Sequence, residues 1–272
     1  MGTCPIKNFR KFDTEMGAFF QSICLLMFKM TSTPVNYSEN LLQNVHEGTE
    51  PPTTNGTTSV IQGSYHYYHY GCDGMNDKGW GCGYRTLQTI CSWIRGTIEH
   101  SPAVPSIPAI QQILIHLEDK PSGFMGSHDW IGSFEVCLVV DHLYGVSSKI
   151  IHVTKGSDLN QHMPSLIEHF NRYGSPLMMG GDQDCSAKAV MGIHASDSDV
   201  YLLIVDPHYC GRARSCQELQ KKEWVKWQHI DEFVHSSFYN ICLPLCTGNG
   251  NISGDKNNAV IKVKKINRTK KI

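Results

Sequence analysis

Leu87, Ile90, Cys91 and Ile94 fall at i, i+3, i+4 and i+7, the single apolar stripe of an amphipathic helix. Gly96 would end that helix, with Arg95 suited to the negative end of its dipole. Helical spacing recurs at 110–117, 134–143 and 159–173, the last on condition that Pro164 sits in its first turn. Between them, three prolines in 101–108 make a connection. The second half changes period. Apolar runs at 176–179, 189–194 and 200–205 predict strands, the last two joined as a hairpin by Ser196-Asp197-Ser198-Asp199. Residues 224–228 and 238–243 are further strand candidates, and the aromatic run 65–70 (YHYYHY) predicts a short strand. Helices first and antiparallel strands later predict an α+β domain, with helices packed on a mostly antiparallel sheet.

Residues 31–63 break the pattern. They are rich in Thr, Ser, Asn, Pro and Gly, and carry Pro51-Pro52 and Asn55-Gly56. They read as a linker or disordered stretch, which divides the chain into an N-terminal extension 1–63, an ordered domain 64–246 and a tail 247–272. Truncation of residues 1–60 is expected to leave catalysis intact. The formal net charge is −1, which sets aside a strongly basic nucleic-acid binder. That balance hides an asymmetry: residues 256–272 hold seven Lys or Arg and no acid, leaving 17 basic against 25 acidic residues before them. The body is therefore acidic and the tail basic. Residues 16–28 are apolar, but 13 residues are too few to span a bilayer. Lys7, Arg10 and Lys11 precede them as in a signal peptide, yet Asp13 and Glu15 intervene and no A-x-A-like site follows. The 11 cysteines include no C-x-x-C pair, and the chain is too long to need a disulfide scaffold. Reduced thiols in the cytoplasm are expected.

Cys82 carries the first chemical signal. It lies in Gly79-Trp80-Gly81-Cys82-Gly83-Tyr84-Arg85, where the first helix begins. Unpaired N–H groups and the positive dipole end at a helix N-terminus lower a thiol pKa and supply the nucleophilic thiolate. The flanking glycines permit close approach of another chain. The second signal is Asp206-Pro207-His208, at the end of the run 200–205. On a strand these two side chains would share a face, giving a base for the thiol and a carboxylate to orient it. Tyr70, before Gly71, is a candidate oxyanion donor. His66 and His69 form H-x-x-H, but on a strand they would point to opposite faces, and paired cysteines are lacking, so no metal is expected. Neither G-x-x-x-x-G-K-[ST] nor G-x-G-x-x-G occurs, so no phosphate-binding cofactor is expected.

Together, YHYGCDG, NDKGWGCGYRTLQTICSW, SHDWIGSFE, PLMMGGD, LLIVDPHY and SFYNICL resemble, in that order, the proteases specific for the ubiquitin-fold modifier, in their short form. The resemblance runs from about residue 65 to 243. It implies a papain-like fold similar to the autophagy cysteine proteases, and makes 64–246 a catalytic domain. It implies Cys82 as nucleophile, His208 as base, Asp206 as the residue orienting the imidazole, and Tyr70 with the Cys82 backbone N–H as oxyanion hole. Trp80 and Trp130 would wall a narrow channel that admits a C-terminal glycine and excludes larger residues. The implied substrates are the modifier precursor and its conjugates, cut by a monomer without cofactor, metal or nucleic acid. The acidic body would suit a basic C-terminal segment of the modifier. Two other readings remain open at this point: a non-catalytic module that binds the modifier, and a protease for an autophagy-type modifier.

Overall fold

A helix buried on every side forms the centre of the protein. Helix α1 (Cys82–Thr97) buries each of its residues from Cys82 to Ile94, so the apolar stripe seen in the sequence is only one of its covered faces. The structure is a computed structural model and describes residues 41–247. Helix α2 (Ile107–His116) starts at Ser106, whose hydroxyl accepts the Ala109 N–H, with Pro108 in the first turn. Helix α3 (Ser133–Tyr144) starts where the Glu135 carboxylate accepts the Gly132 N–H at 2.8 Å, and it stops at Gly145 in the left-handed region.

Among the described residues, seven strands form one antiparallel sheet: β1 (Thr57–Val60), β2 (Ser148–Val153), β3 (Leu177–Gly181), β4 (Ala187–Ala195), β5 (Val200–Val205), β6 (Val225–His229) and β7 (Tyr239–Pro244). The order is β2-β7-β3-β4-β5-β6, and β1 pairs with the far half of β4, from Thr57↔Ala195 to Val60↔Gly192. The β4–β5 pair is the expected hairpin. Successive residues 189–194 of β4 are all buried. Since neighbours on a strand point to opposite faces, both faces of the sheet are covered there. Helix α1 packs on β3 and β4, α3 on β7 and β2, and helix α4 (Met163–Arg172) on β1 and β4. A short helix, α5 (Cys216–Lys221), packs on β6.

The α+β reading stands, with local corrections. Residues 65–70 are not a strand. Their backbone N–H groups go elsewhere: His66 to Ser92 Oγ, Tyr67 to Leu42 O, Tyr68 to Thr89 Oγ1 and Tyr70 to Pro207 O. Tyr65, Tyr67, Tyr68, His69 and Tyr70 are buried without pairing in a ladder, and His66 is exposed. The helix expected over 159–173 divides into a 3₁₀ stretch, Gly156–His162, and α4, with Pro164 in the first turn of α4. Strand β2 and helix α5 were not anticipated.

The largest correction concerns residues 41–63, expected within the N-terminal extension. They are part of the fold. Val45 and Ile61 are buried, and β1 extends the sheet. Trp227 Nε1 donates to Thr49 O, and Gln220 Nε2 to Val45 O. Polar composition misled because this stretch is held by hydrogen bonds more than by apolar side chains. The expected apolar stretch 16–28 and the basic residues 256–272 lie outside the described residues. Among the described residues, no helix is long and apolar enough to cross a membrane.

Candidate active site

Three chain segments meet at the N-terminus of α1. Cys82 is the first residue of the helix, after Gly81. The turn after β5 supplies Asp206 and His208. The segment ending at Tyr70 runs beside that turn, through Tyr70 N–H to Pro207 O at 3.0 Å and a bridge between Tyr70 and Cys210. Tyr67 reinforces it by donating its hydroxyl to Asp206 O at 2.5 Å.

Both glycines beside Cys82 are set by close packing. A Cβ on Gly81 would stand 2.3 Å from Asp77 Oδ2, and one on Gly83 2.4 Å from the Ile131 carbonyl oxygen. The helix therefore enters between Asp77 and the chain before α3 with no room for a side chain on either flank.

His208 Nδ1 lies 2.5 Å from Asp206 Oδ1, and the same oxygen accepts the His208 backbone N–H at 2.9 Å. The sequence placed these residues on a strand, but β5 ends at Val205 and they stand in a turn. Their meeting follows from that i to i+2 turn, in which an Asp side chain folds back on its own backbone. Nδ1 is thereby committed to Asp206, leaving Nε2 for the thiol. Edge-on, the Tyr70 ring meets the His208 ring, centroids 5.1 Å apart.

The electrostatics agree with a charged pair. Burial pushes the Cys82 thiol up, but hydrogen bonds from His208 and the Ala187 backbone, the His208 charge and Tyr70 outweigh it, so the thiol sits below its ordinary value. Burial lowers His208, but hydrogen bonds to Asp206 and Cys82 and their charges raise it to about 9. Burial raises Asp206, and His208 and Lys188 bring it below the usual carboxylate range. The Tyr70 hydroxyl is pushed well up, by burial first and then by Cys82. It therefore stays protonated and available as a donor.

Trp80 is 8% exposed, with its indole stacked on the His128 ring at 4.7 Å and 9°. Trp130 is 54% exposed. It precedes Ile131, whose carbonyl packs on Gly83, so it stands close to the thiol in the chain path. The two indoles thus differ, one covered and one open. Among the described residues no group of His, Cys, Asp and Glu could hold a metal ion.

Several neighbours of the site were not read from the sequence. Lys188 Nζ stands 3.6 Å from Asp206 Oδ2. His128 covers Trp80. Arg85, fully buried, donates Nε to Asp77 Oδ2 at 2.7 Å and both terminal nitrogens to Asp73 at 2.7 and 2.9 Å. No sequence signal marked this last group: Arg85 falls with Gln88, Thr89 and Ser92 on the polar face of α1, and only the fold buries that face.

A sequence model of peptidase family C78 matches residues 56–242. Ufm1-specific protease 1 of Mus musculus is 45% identical over 205 residues, 74% of this chain and 93% of the relative. Probable Ufm1-specific protease 1 of Drosophila melanogaster is 43% identical over 78% of this chain and 90% of its own length. Ufm1-specific protease 2 of Mus musculus is 40% identical over 76% of this chain, but this spans only 45% of that longer protein. The crystal structure of UfSP from C. elegans superposes with a TM-score of 0.66 and 31% identity, covering 76% of this chain and 38% of the other. The fold is thus the papain-like one of that neighbour, and with its family match and its relatives this chain belongs to peptidase family C78, as a cysteine peptidase.

Proposed function

We propose that the chain cleaves after the C-terminal glycine of the ubiquitin-fold modifier Ufm1, maturing its precursor and releasing it from conjugates. The substrate class rests on the names of the relatives at 45% and 43% identity, which match this chain over 90% or more of their own lengths. The chemistry rests on one observation above others. A thiol held below its ordinary value faces an imidazole raised to about 9, whose other nitrogen is 2.5 Å from a carboxylate.

In this reading the Cys82 thiolate attacks the carbonyl carbon of the glycine, forming a C–S bond. The oxygen gains negative charge and meets the Tyr70 hydroxyl and the Cys82 backbone N–H, which no earlier helical carbonyl can occupy. His208 Nε2–H gives its proton to the departing amine as the C–N bond breaks. Water then attacks the thioester, His208 takes its proton, and thiolate leaves as the glycine carboxylate forms. Asp206 holds the imidazole in the tautomer that both steps need. The Trp80 and Trp130 indoles flank the tail and favour glycine by exclusion. A cytoplasmic monomer is the working unit we assign, since a thiolate nucleophile suits a reducing compartment.

The test is labelling with the modifier carrying a thiol-reactive group at its C-terminal glycine, with ubiquitin and an autophagy modifier as control probes. The expected adduct is on Cys82, selective for Ufm1 and lost in His208→Ala. Labelling by the wrong modifier would move the substrate and keep the mechanism. Tight binding without an adduct would make the chain a binding module.

A further inference from the structure

Tyr70 and Cys82 are separated by a loop that would be soft if left to its backbone. Gly71, Gly74 and Gly79 all have positive φ, at +69°, +86° and +87°, a region that glycine enters with little steric cost. Yet the proposed oxyanion pocket needs the Tyr70 hydroxyl and the Cys82 N–H at one fixed separation. One buried residue spans both ends of that loop. Asp77 Oδ1 accepts the N–H of Gly71, next to Tyr70, at 2.7 Å. Its carbonyl accepts the N–H groups of Trp80 and Gly81, next to Cys82, at 3.2 and 2.8 Å. Its carboxylate also fills the space beside the missing Cβ of Gly81.

Asp77 is fixed in turn from α1. Arg85 Nε donates to Asp77 Oδ2, and the Arg85 backbone N–H to Gly81 O at 2.9 Å. The guanidinium is steadied by Asp73 and by Gln88 Oε1 at 3.0 Å, and Gln88 donates to Pro105 O at 2.8 Å. Arg85 and Asp77 are both fully buried. Burying such charges is costly, and an apolar group of the same shape often serves stability as well or better. The Asp77 carbonyl would remain with an apolar side chain; what an apolar pair could not supply is the directed side-chain link from Gly71 N–H through Asp77 Oδ1 and Oδ2 to Arg85 in α1.

We propose that the Asp77–Arg85 pair is a positioning device for the reaction, which sets the separation between the Tyr70 hydroxyl and the Cys82 backbone N–H. Neither residue touches the reacting atoms. They act through Tyr70 and the first turn of α1. The inference rests on the assignment of Cys82 as nucleophile and Tyr70 as oxyanion donor.

The experiment uses the full chain and a Ufm1 fusion with a fluorogenic amide at the C-terminal glycine. Asp77→Asn keeps the size and an oxygen for Gly71 but turns a donor toward Arg85 Nε. Its kcat is expected to fall about 10- to 100-fold with KM within about twofold, as a small misplacement of catalytic groups predicts. Alkylation of Cys82 by iodoacetamide builds no oxyanion, so its rate and pH profile should stay those of the wild type. In a Tyr70→Phe background, itself slowed about 10²-fold, Asp77→Asn should add little further loss. Wild-type kcat in folded Asp77→Asn, equal losses in cleavage and alkylation, or independent losses in the double variant would each overturn the inference. If Asp77→Asn does not fold, Asp73→Asn decides, with a smaller fall in kcat expected and an unchanged kcat overturning. A wild-type protein that neither cleaves the fusion nor alkylates at Cys82 would instead overturn the catalytic assignment, and this inference with it.

Discussion

Asp206 Oδ1 accepts two hydrogen bonds from a single residue, His208, one from the ring Nδ1 at 2.5 Å and one from the backbone N–H at 2.9 Å. The backbone donor cannot be turned away, so an asparagine here would present its oxygen to His208 and its amide nitrogen toward Lys188. Asp206→Asn is therefore expected to keep the imidazole tautomer and lose only the charge. We expect kcat about 10- to 100-fold below wild type, and the alkaline limb of the rate profile moved down from about pH 9 toward the ordinary histidine value. Asp206→Ala, which loses orientation as well, should be slower. A loss near the ~10⁴-fold expected when the tautomer is inverted would show that the amide had flipped.

The pH profile follows from the same pair. Cys82 is lowered and His208 raised to about 9, so thiolate and imidazolium coexist over the range between them. Alkylation of Cys82 by iodoacetamide should rise at a lower pH than that of an ordinary thiol, and amide cleavage should decline as pH rises through about 9. For stability the sign is fixed by the direction of each shift. His208, raised in the folded protein, stabilises fully below its ordinary value of about 6.5, and that contribution fades as pH rises through about 9. Asp206, lowered, stabilises above its ordinary value, and its contribution is lost as pH falls through the folded one. Titration of Cys82 reactivity in one step near the ordinary thiol value of about 8.5 is the outcome that rejects the pair.

The two glycines around Cys82 should behave alike in stability. An alanine Cβ at Gly81 meets the Asp77 carboxylate, pinned by Arg85, and one at Gly83 meets the Ile131 backbone. Each substitution should cost about 1–3 kcal/mol by overpacking, or roughly 3–10 °C in the melting temperature for a domain of this size. Gly180 has no atom within 4 Å of its added Cβ, so Gly180→Ala is the control. Calorimetry of the three variants separates the cases, and a Gly83→Ala protein melting with the wild type would refute the packing account.

How far the sequence could be read depended on what holds each part. Helix α1 and the β4–β5 hairpin announce themselves because apolar side chains bury them, and burial leaves a period. Cys82 at a helix start and the pairing of Asp206 with His208 were legible because the chemistry is local: one depends on a helix end, the other on a two-residue turn. The fold of residues 65–70 was misread because its N–H groups bond to Ser92 and Thr89 side chains, which no alternation of polarity encodes. Strand β1 (TTSV) was invisible for a related reason, since Ser59 is its only buried residue. The Asp77–Arg85 pair was not legible: Arg85 falls with Gln88, Thr89 and Ser92 on the polar face of α1, and only the fold buries that face and brings Asp77 to it.

Residues 41–63 give the sharpest departure from the sequence reading, and so the last test. His194 on β4 is buried, and both its ring nitrogens are engaged from that segment: Nε2 with Thr53 Oγ1 and Nδ1 with Thr58 Oγ1, each at 2.7 Å. A chain beginning at Ser64 would lose both partners, the β1 pairing along β4 and the buried Val45 and Ile61. An unsatisfied buried polar group costs about 1–3 kcal/mol, and a branched aliphatic side chain fully buried contributes about 1.5–3 kcal/mol. Those losses together reach the scale of a domain's whole stability, about 5–15 kcal/mol. We therefore expect the chain starting at Ser64 to lack a cooperative melting transition and to show no cleavage. Thr58→Val, which removes one partner of His194 and keeps the strand, should fold and melt a few degrees lower. Circular dichroism melts of both, with the full chain alongside, decide the matter. A chain starting at Ser64 that melts and cleaves like the full protein would mean that β1 and the segment before it only decorate a sheet that is complete without them.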